Sequence, residues 1–258
     1  MTAMTAPSAL LEPARPPLLR LTAVELRKMT DTRSGRWLLI LIGLTAVAMM
    51  PVVLFAVPKQ EQTLLEFFTA SQTGVSFLLP VLGILAVTTE WSQRTALTTF
   101  TLVPERPRIL AAKLIAGSAL GALFACVGLV TALIARTVGE LMGRSDGSWS
   151  LSPGRFGLTV LFAVLLLFMG IAFGMLFMNS PLAIASFFVL PTLWSALGEM
   201  ISKLKGPASW LDTNRTLTAL SEPGITAEEW ARAGTSLALW LLLPLVIGTI
   251  RLIKREVK

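Results

Sequence analysis

A chain of 258 residues that is 54% hydrophobic and only 14% charged carries too little charge for a soluble domain, where roughly 25% is usual, and reads as an integral membrane protein. Its net charge of +7 comes from basic residues that flank apolar runs instead of forming one patch, which argues against nucleic acid as a partner. With no histidine and a single cysteine, Cys126, the sequence offers no imidazole metal site, no Ser-His or Cys-His pair and no disulfide framework.

Residues 1–16 are small, polar and proline-rich and predict a disordered tail. The first apolar run begins only at Trp37 and no small-residue cleavage site follows it, so a secretory signal is not expected. Residues 17–36 predict an amphipathic helix lying along the membrane. Leu18, Leu21, Val24 and Met29 supply its apolar side, and Arg20, Arg27 and Lys28 sit among anionic headgroups. Six apolar segments follow, at about residues 37–57, 72–89, 112–135, 156–178, 182–200 and 233–253. Each is near the roughly 20 residues that cross about 30 Å of hydrocarbon as a helix. The fold class is therefore an all-α integral membrane protein, with a six-helix transmembrane domain over 37–253 and a short tail at 254–258.

The segment 90–113 separates the second run from the third, so it leaves the membrane and returns. Ala96, Leu97, Phe100 and Val103 share one face at helical spacing, with Thr95, Thr98, Thr99 and Thr101 on much of the rest. Pro104 and Pro107 stop that helix, because proline lacks the amide donor and restricts its predecessor. Arg106, Arg108 and Lys113 mark the return to the bilayer on its positively charged side. Two readings stand: a surface helix over 95–103 that receives force from a partner protein, or a solvated turn that only connects two spans.

Asn179-Ser180-Pro181 alone links the fourth and fifth spans, which forces a tight hairpin. The loop 202–232 is the longest; it carries Trp210, room for a short helix after Pro207, and the capping pattern Thr226-Ala227-Glu228-Glu229 ahead of the sixth span. With both termini cytoplasmic, 14 of the 22 basic residues fall on the inner side and 8 on the outer, which sets the orientation.

The apolar cores contain no charged residue; Glu90, Arg136 and Glu199 sit at their ends. Ion-coupled carriers and charged selectivity rings need charge inside the membrane, and an intramembrane enzyme needs an acid or base there. No G-x-x-x-x-G-K-[ST] run is present, so energy for any work must come from another polypeptide. Gly117 with Gly121 and Gly170 with Gly174 form two G-x-x-x-G patterns, which suit close packing within one bundle or a dimer seam. Pro51, Pro80, Pro191 and Pro244 lie inside spans and are expected to bend them. Ser186, Thr192 and Ser195, beside Trp194 and Phe187, either line a pathway for an amphiphilic substrate or bond back to their own helix.

The order of these elements resembles the type-2 ABC exporter permeases, which commonly show a loop reading E, a few residues, G-T, then P-x-x-R or P-x-R, I-L and K before the third span. The matching residues are Glu90, Thr95, Pro104, Arg106 or Arg108, Ile109-Leu110 and Lys113. Arg94 replaces the glycine before the threonine, and Pro107 is an additional proline. The resemblance implies that the 18–36 helix is an elbow helix and 95–103 a coupling helix seated in a groove of a separate ATPase subunit. Thr95, Leu97, Phe100, Val103, Pro104, Arg106 and Arg108 would form that coupling surface, with ATP and Mg held by the ATPase and no cofactor on this chain. Glu90 would either tie to Arg33 or Arg36 of the elbow or stand as an interfacial carboxylate. The resemblance further implies a second permease, identical or paralogous, and export across the plasma (inner) membrane. The alternative expectation is a non-transporting membrane partner, an immunity or sensor-associated subunit that docks a cytoplasmic regulator.

Overall fold

The computed structural model describes residues 16–92, 106–219 and 225–254. Among these residues every regular element is helical. Six stretches are long and apolar enough to cross a membrane: Arg33–Ala56, Leu64–Ser92, Arg106–Leu141, Pro153–Phe177, Ser180–Met200 and Ala227–Ile253. The expected surface helix over 95–103 lies outside the described residues.

Helix α1 spans Leu18–Asp31 and α2 spans Arg33–Ala56. The sequence predicted one helix through Arg36, but the chain breaks at Thr32, which is extended at φ −68° and ψ 146°. The Thr32 hydroxyl accepts from the Gly35 amide at 3.2 Å, satisfying one of the donors that a first helical turn leaves unpaired. Gly35 permits the sharp entry, since a Cβ there would stand 2.1 Å from the Met29 carbonyl oxygen. Arg33 and Arg36 therefore belong to the first span and not to α1.

The second span is a pair, α3 (Leu64–Ser71) and α4 (Thr73–Ser92), joined at Gln72. It starts earlier than the predicted 72–89, and of the polar run before it Gln62 is turned inward. Gln62 is buried and its amide donates to the carbonyls of Leu54 (3.1 Å) and Val57 (2.7 Å). Helix α5, Arg106–Leu141, has 36 residues and is about 54 Å long, so it overshoots the predicted 112–135 at both ends. Pro107 is its second residue, where the helix needs no amide. Near its far end the buried Arg136 donates to the carbonyls of Ser145 (3.1 Å) and Gly147 (2.6 Å) and folds the following loop back onto the bundle.

Helices α6 (Pro153–Phe177) and α7 (Ser180–Met200) form the predicted hairpin. Met178 takes a left-handed conformation at φ 52°, and Asn179 caps α7 by accepting from the Leu182 amide at 3.0 Å. At the far end of α7, opposite that hairpin, a 3-10 turn (Ser202–Leu204), α8 (Lys205–Leu211) and α9 (Thr213–Ala219) follow. Helix α10 (Ala227–Leu237) opens with the predicted capping box between Thr226 and Glu229. It passes through a π-helical turn (Ala238–Leu242) into α11 (Leu243–Lys254). The wide turn precedes Pro244, which has no amide to return to the preceding turn.

Helix α6 is the hub, packed against α4, α5, α7 and α11. Leu79 and Leu82 of α4 meet Leu167, Ile171 and Met175 of α6 in the main core. Both G-x-x-x-G patterns work inside this bundle: Gly117 and Gly121 bring α5 onto Leu167 and Val164, and Gly170 and Gly174 bring α6 onto the backbone of Pro80 and Ile84. A Cβ on Gly170 would lie 2.1 Å from the Pro80 carbonyl oxygen.

Candidate functional site

Four charged side chains from three helices meet at one end of the bundle. Glu25 and Lys28 stand one turn apart on α1, Glu90 near the end of α4, and Lys113 two turns into α5. The spacing of Leu21, Glu25, Lys28 and Met29 puts them on one stripe of α1, which is how a charged pair and an apolar anchor turn inward together. Lys113 uses all three of its donors: to Glu25 Oε2 at 2.5 Å, Glu90 Oε1 at 2.9 Å and the Ala86 carbonyl at 2.8 Å. Lys28 donates to Glu25 Oε1 at 2.7 Å and to Glu90 Oε1 at 2.9 Å.

Glu25, Lys113 and Glu90 are only 4%, 5% and 8% exposed. Charges so deep persist only when paired and bonded, and here two carboxylates balance two ammoniums. Lys28 lies at the rim. Burial alone would push its ammonium below the usual lysine range; Glu90 and Glu25 beside it reverse that and hold it above. The arrangement is a clamp: each of its four charged groups is paired with an opposite charge. Among the described residues no group of three or more His, Cys, Asp or Glu converges to hold a metal ion.

The clamp corrects the expected tie between Glu90 and Arg33 or Arg36. Glu90 does join the N-terminal helix, but through Lys28, and the break at Thr32 carries Arg33 and Arg36 into α2; among the described residues its ion-pair partners are Lys28 and Lys113. Glu25 was not singled out from the sequence at all. Its signal is present in retrospect: it is the only carboxylate among the first thirteen residues of α1, three positions from Lys28.

Thr95, Leu97, Phe100, Val103 and Pro104 of the expected coupling surface lie outside the described residues. Arg106 and Arg108 are described, and both bind backbone. Arg106 donates to the Leu252 and Ile253 carbonyls at the end of α11, where a cation complements the unpaired carbonyls. Arg108 donates to the Pro16 carbonyl at 2.9 Å, just ahead of α1.

The four expected pathway residues do not converge. Thr192 donates back to the Phe188 carbonyl at 2.6 Å and also lines a large cavity. Ser195 donates to the buried Asp212 at 2.6 Å, tying α7 to the start of α9. The indole nitrogen of Trp194 is buried without a hydrogen-bond partner among the described residues, and Ser186 is half-buried on α7. A search against protein-family models finds no match to this sequence, and a search of curated proteins finds none either.

Proposed function

We propose that the chain is the membrane-spanning permease subunit of an ATP-driven exporter of the type-2 ABC class. It works with a separate ATPase subunit that holds ATP and Mg, and with a second permease. In this reading it lies in the plasma (inner) membrane with both termini cytoplasmic, as the placement of its basic residues favours.

The observation that carries the reading is the clamp. Glu90 and Lys113 flank the 90–113 segment, pair at 2.9 Å, and are both bonded into α1. A push delivered to that segment by another protein therefore moves α1, α4 and α5 as a unit instead of bending one helix. Leu97, Phe100 and Val103 supply the apolar anchor for such a partner, and burying one phenylalanine contributes about 1.5–3 kcal/mol. Closure of two ATPase subunits on ATP then tilts two bundles against each other and opens a path outward.

The test is to express the tagged chain with its chromosomal neighbours, purify it in mild detergent and identify what accompanies it. An ATPase subunit with its own P-loop, at one copy per permease, is the expected result. Recovery of the chain with only a non-ATPase regulator would replace this reading with that of a non-transporting docking partner.

A further inference from the structure

A cavity of about 790 Å³ opens at the end of the bundle opposite the ion-pair clamp, walled by α3, α4, α6, α7 and α9. Ser76, on its wall, and Glu90, in the clamp, are fourteen residues apart on α4, about 21 Å along the helix. The volume falls within the roughly 300–1,000 Å³ of small-molecule sites.

Its lining is graded from polar to apolar. Arg155, Thr159, Phe162, Leu166 and Met169 follow one face of α6 at alternating spacings of four and three, a stripe about 21 Å long. Helix α9 adds Thr213, Asn214 and Thr218 to the wall, and Gln72 lines it as well. At the end away from Arg155 sit aromatic rings: Phe187 and Phe188 pack edge to face at 5.1 Å, and Phe77 stacks on Phe188 at 6.5 Å.

Among the described residues Arg155 is the one charged side chain in this lining, and its guanidinium makes no hydrogen bond or ion pair with them. Its amide donates to the Ser152 hydroxyl oxygen and its carbonyl accepts from the Thr159 hydroxyl, both local bonds. A guanidinium left bare beside an apolar chamber is a mismatch for a neutral occupant, which would strip its water and return nothing. A planar anion returns two parallel charge-assisted bonds. The first turn of α6, where Arg155 sits, adds the positive end of the helix dipole.

We propose that this cavity binds an amphiphile with a single anionic head, a carboxylate, sulfate or phosphate ester, held by Arg155. The apolar body lies along Phe162, Leu166 and Met169 toward Phe187 and Phe188. The site belongs to the chain alone and goes beyond the exporter reading, since it requires no ATPase.

The test uses the purified full chain in nanodiscs of phosphatidylcholine. The probes are the fluorescent carboxylate 11-(dansylamino)undecanoate and its methyl ester, with partition into empty discs subtracted. The wild type binds the carboxylate saturably and at least tenfold more tightly than the ester. Arg155→Gln loses at least tenfold for the carboxylate and leaves the ester unchanged, Arg155→Lys recovers part of the loss, and Thr159→Trp, which narrows the chamber beside Arg155, weakens saturable binding of both at least tenfold. An unchanged thermal midpoint shows that the variants are folded. Phosphatidylglycerol added to the discs separates the sources: displacement of the probe identifies a membrane lipid as the occupant, and persistence of the probe identifies a water-soluble amphiphile. Equal carboxylate affinity in wild type and Arg155→Gln, or undiminished binding by Thr159→Trp, overturns the proposal.

Discussion

Replacing Lys113 with methionine keeps the apolar stem and deletes the ammonium that holds α1, α4 and α5 together. Among the described residues two carboxylates, Glu25 and Glu90, then share the single charge of Lys28, and the Ala86 carbonyl loses one of its donors. At 2.9 Å and an effective dielectric of about 20, each lost ion pair represents about 6 kcal/mol of gross attraction. Most of that is offset because the lysine no longer has to be desolvated. Breaking a buried pair from one side costs about 3–5 kcal/mol net. For a chain of this size that corresponds to a fall of about 6–20 °C in thermal midpoint, read by tryptophan fluorescence in detergent micelles. The control is Glu25→Gln combined with Lys113→Met, which leaves the balanced pair Lys28–Glu90. It is expected to recover at least about 1 kcal/mol over Lys113→Met, as coupled neighbours do. A Lys113→Met midpoint within 2 °C of the parent by the same ~2–4 °C per kcal/mol scale, or a double variant less stable than the single, refutes the clamp.

Two more outcomes follow from the same geometry. Gly170→Ala drives a methyl group into the Pro80 backbone and is expected to cost about 1–3 kcal/mol, seen as a lowered thermal midpoint; a midpoint equal to the parent's contradicts the α4–α6 packing. Because Lys28 has its pKa raised in the folded chain, the stability its pairing supplies is fully present below the ordinary lysine value of 10.5 and is lost as pH rises through the higher folded value. Thermal midpoints taken from pH 8 into the alkaline range above 10.5 should therefore fall more steeply for the wild type than for Lys28→Met; parallel curves count against the pairing.

The spans were legible because uninterrupted apolar runs of about 20 residues have few other uses. The short hairpin at Asn179 and the capping box at Thr226 were legible for a different reason: each is local chemistry complete within four residues. The clamp was not legible, since Lys113 and Glu25 are 88 residues apart and no periodicity links them. Glu25 was also hidden by an assumption, that a basic amphipathic helix turns its charges to headgroups; burial of a carboxylate becomes favourable only once two ammoniums are brought to it. The break at Thr32 turned on one hydroxyl and one close backbone approach, neither of which disturbs the hydropathy pattern. Arg106 and Arg108 carried the right sign for a membrane exit, yet the partners seen are backbone carbonyls of distant segments, which sequence spacing does not announce.

The central claim is that segment 90–113 docks an ATPase, and it is tested by placing a photo-crosslinking benzoylphenylalanine at position 100 in cells that express the chain with its neighbours. After irradiation, mass spectrometry identifies what is joined to that position. The account predicts a polypeptide carrying a P-loop, and loss of that adduct when the crosslinker is moved to the opposite end of the bundle at position 214. An adduct at position 100 with lipid alone, or with a protein lacking any nucleotide-binding site, would contradict it.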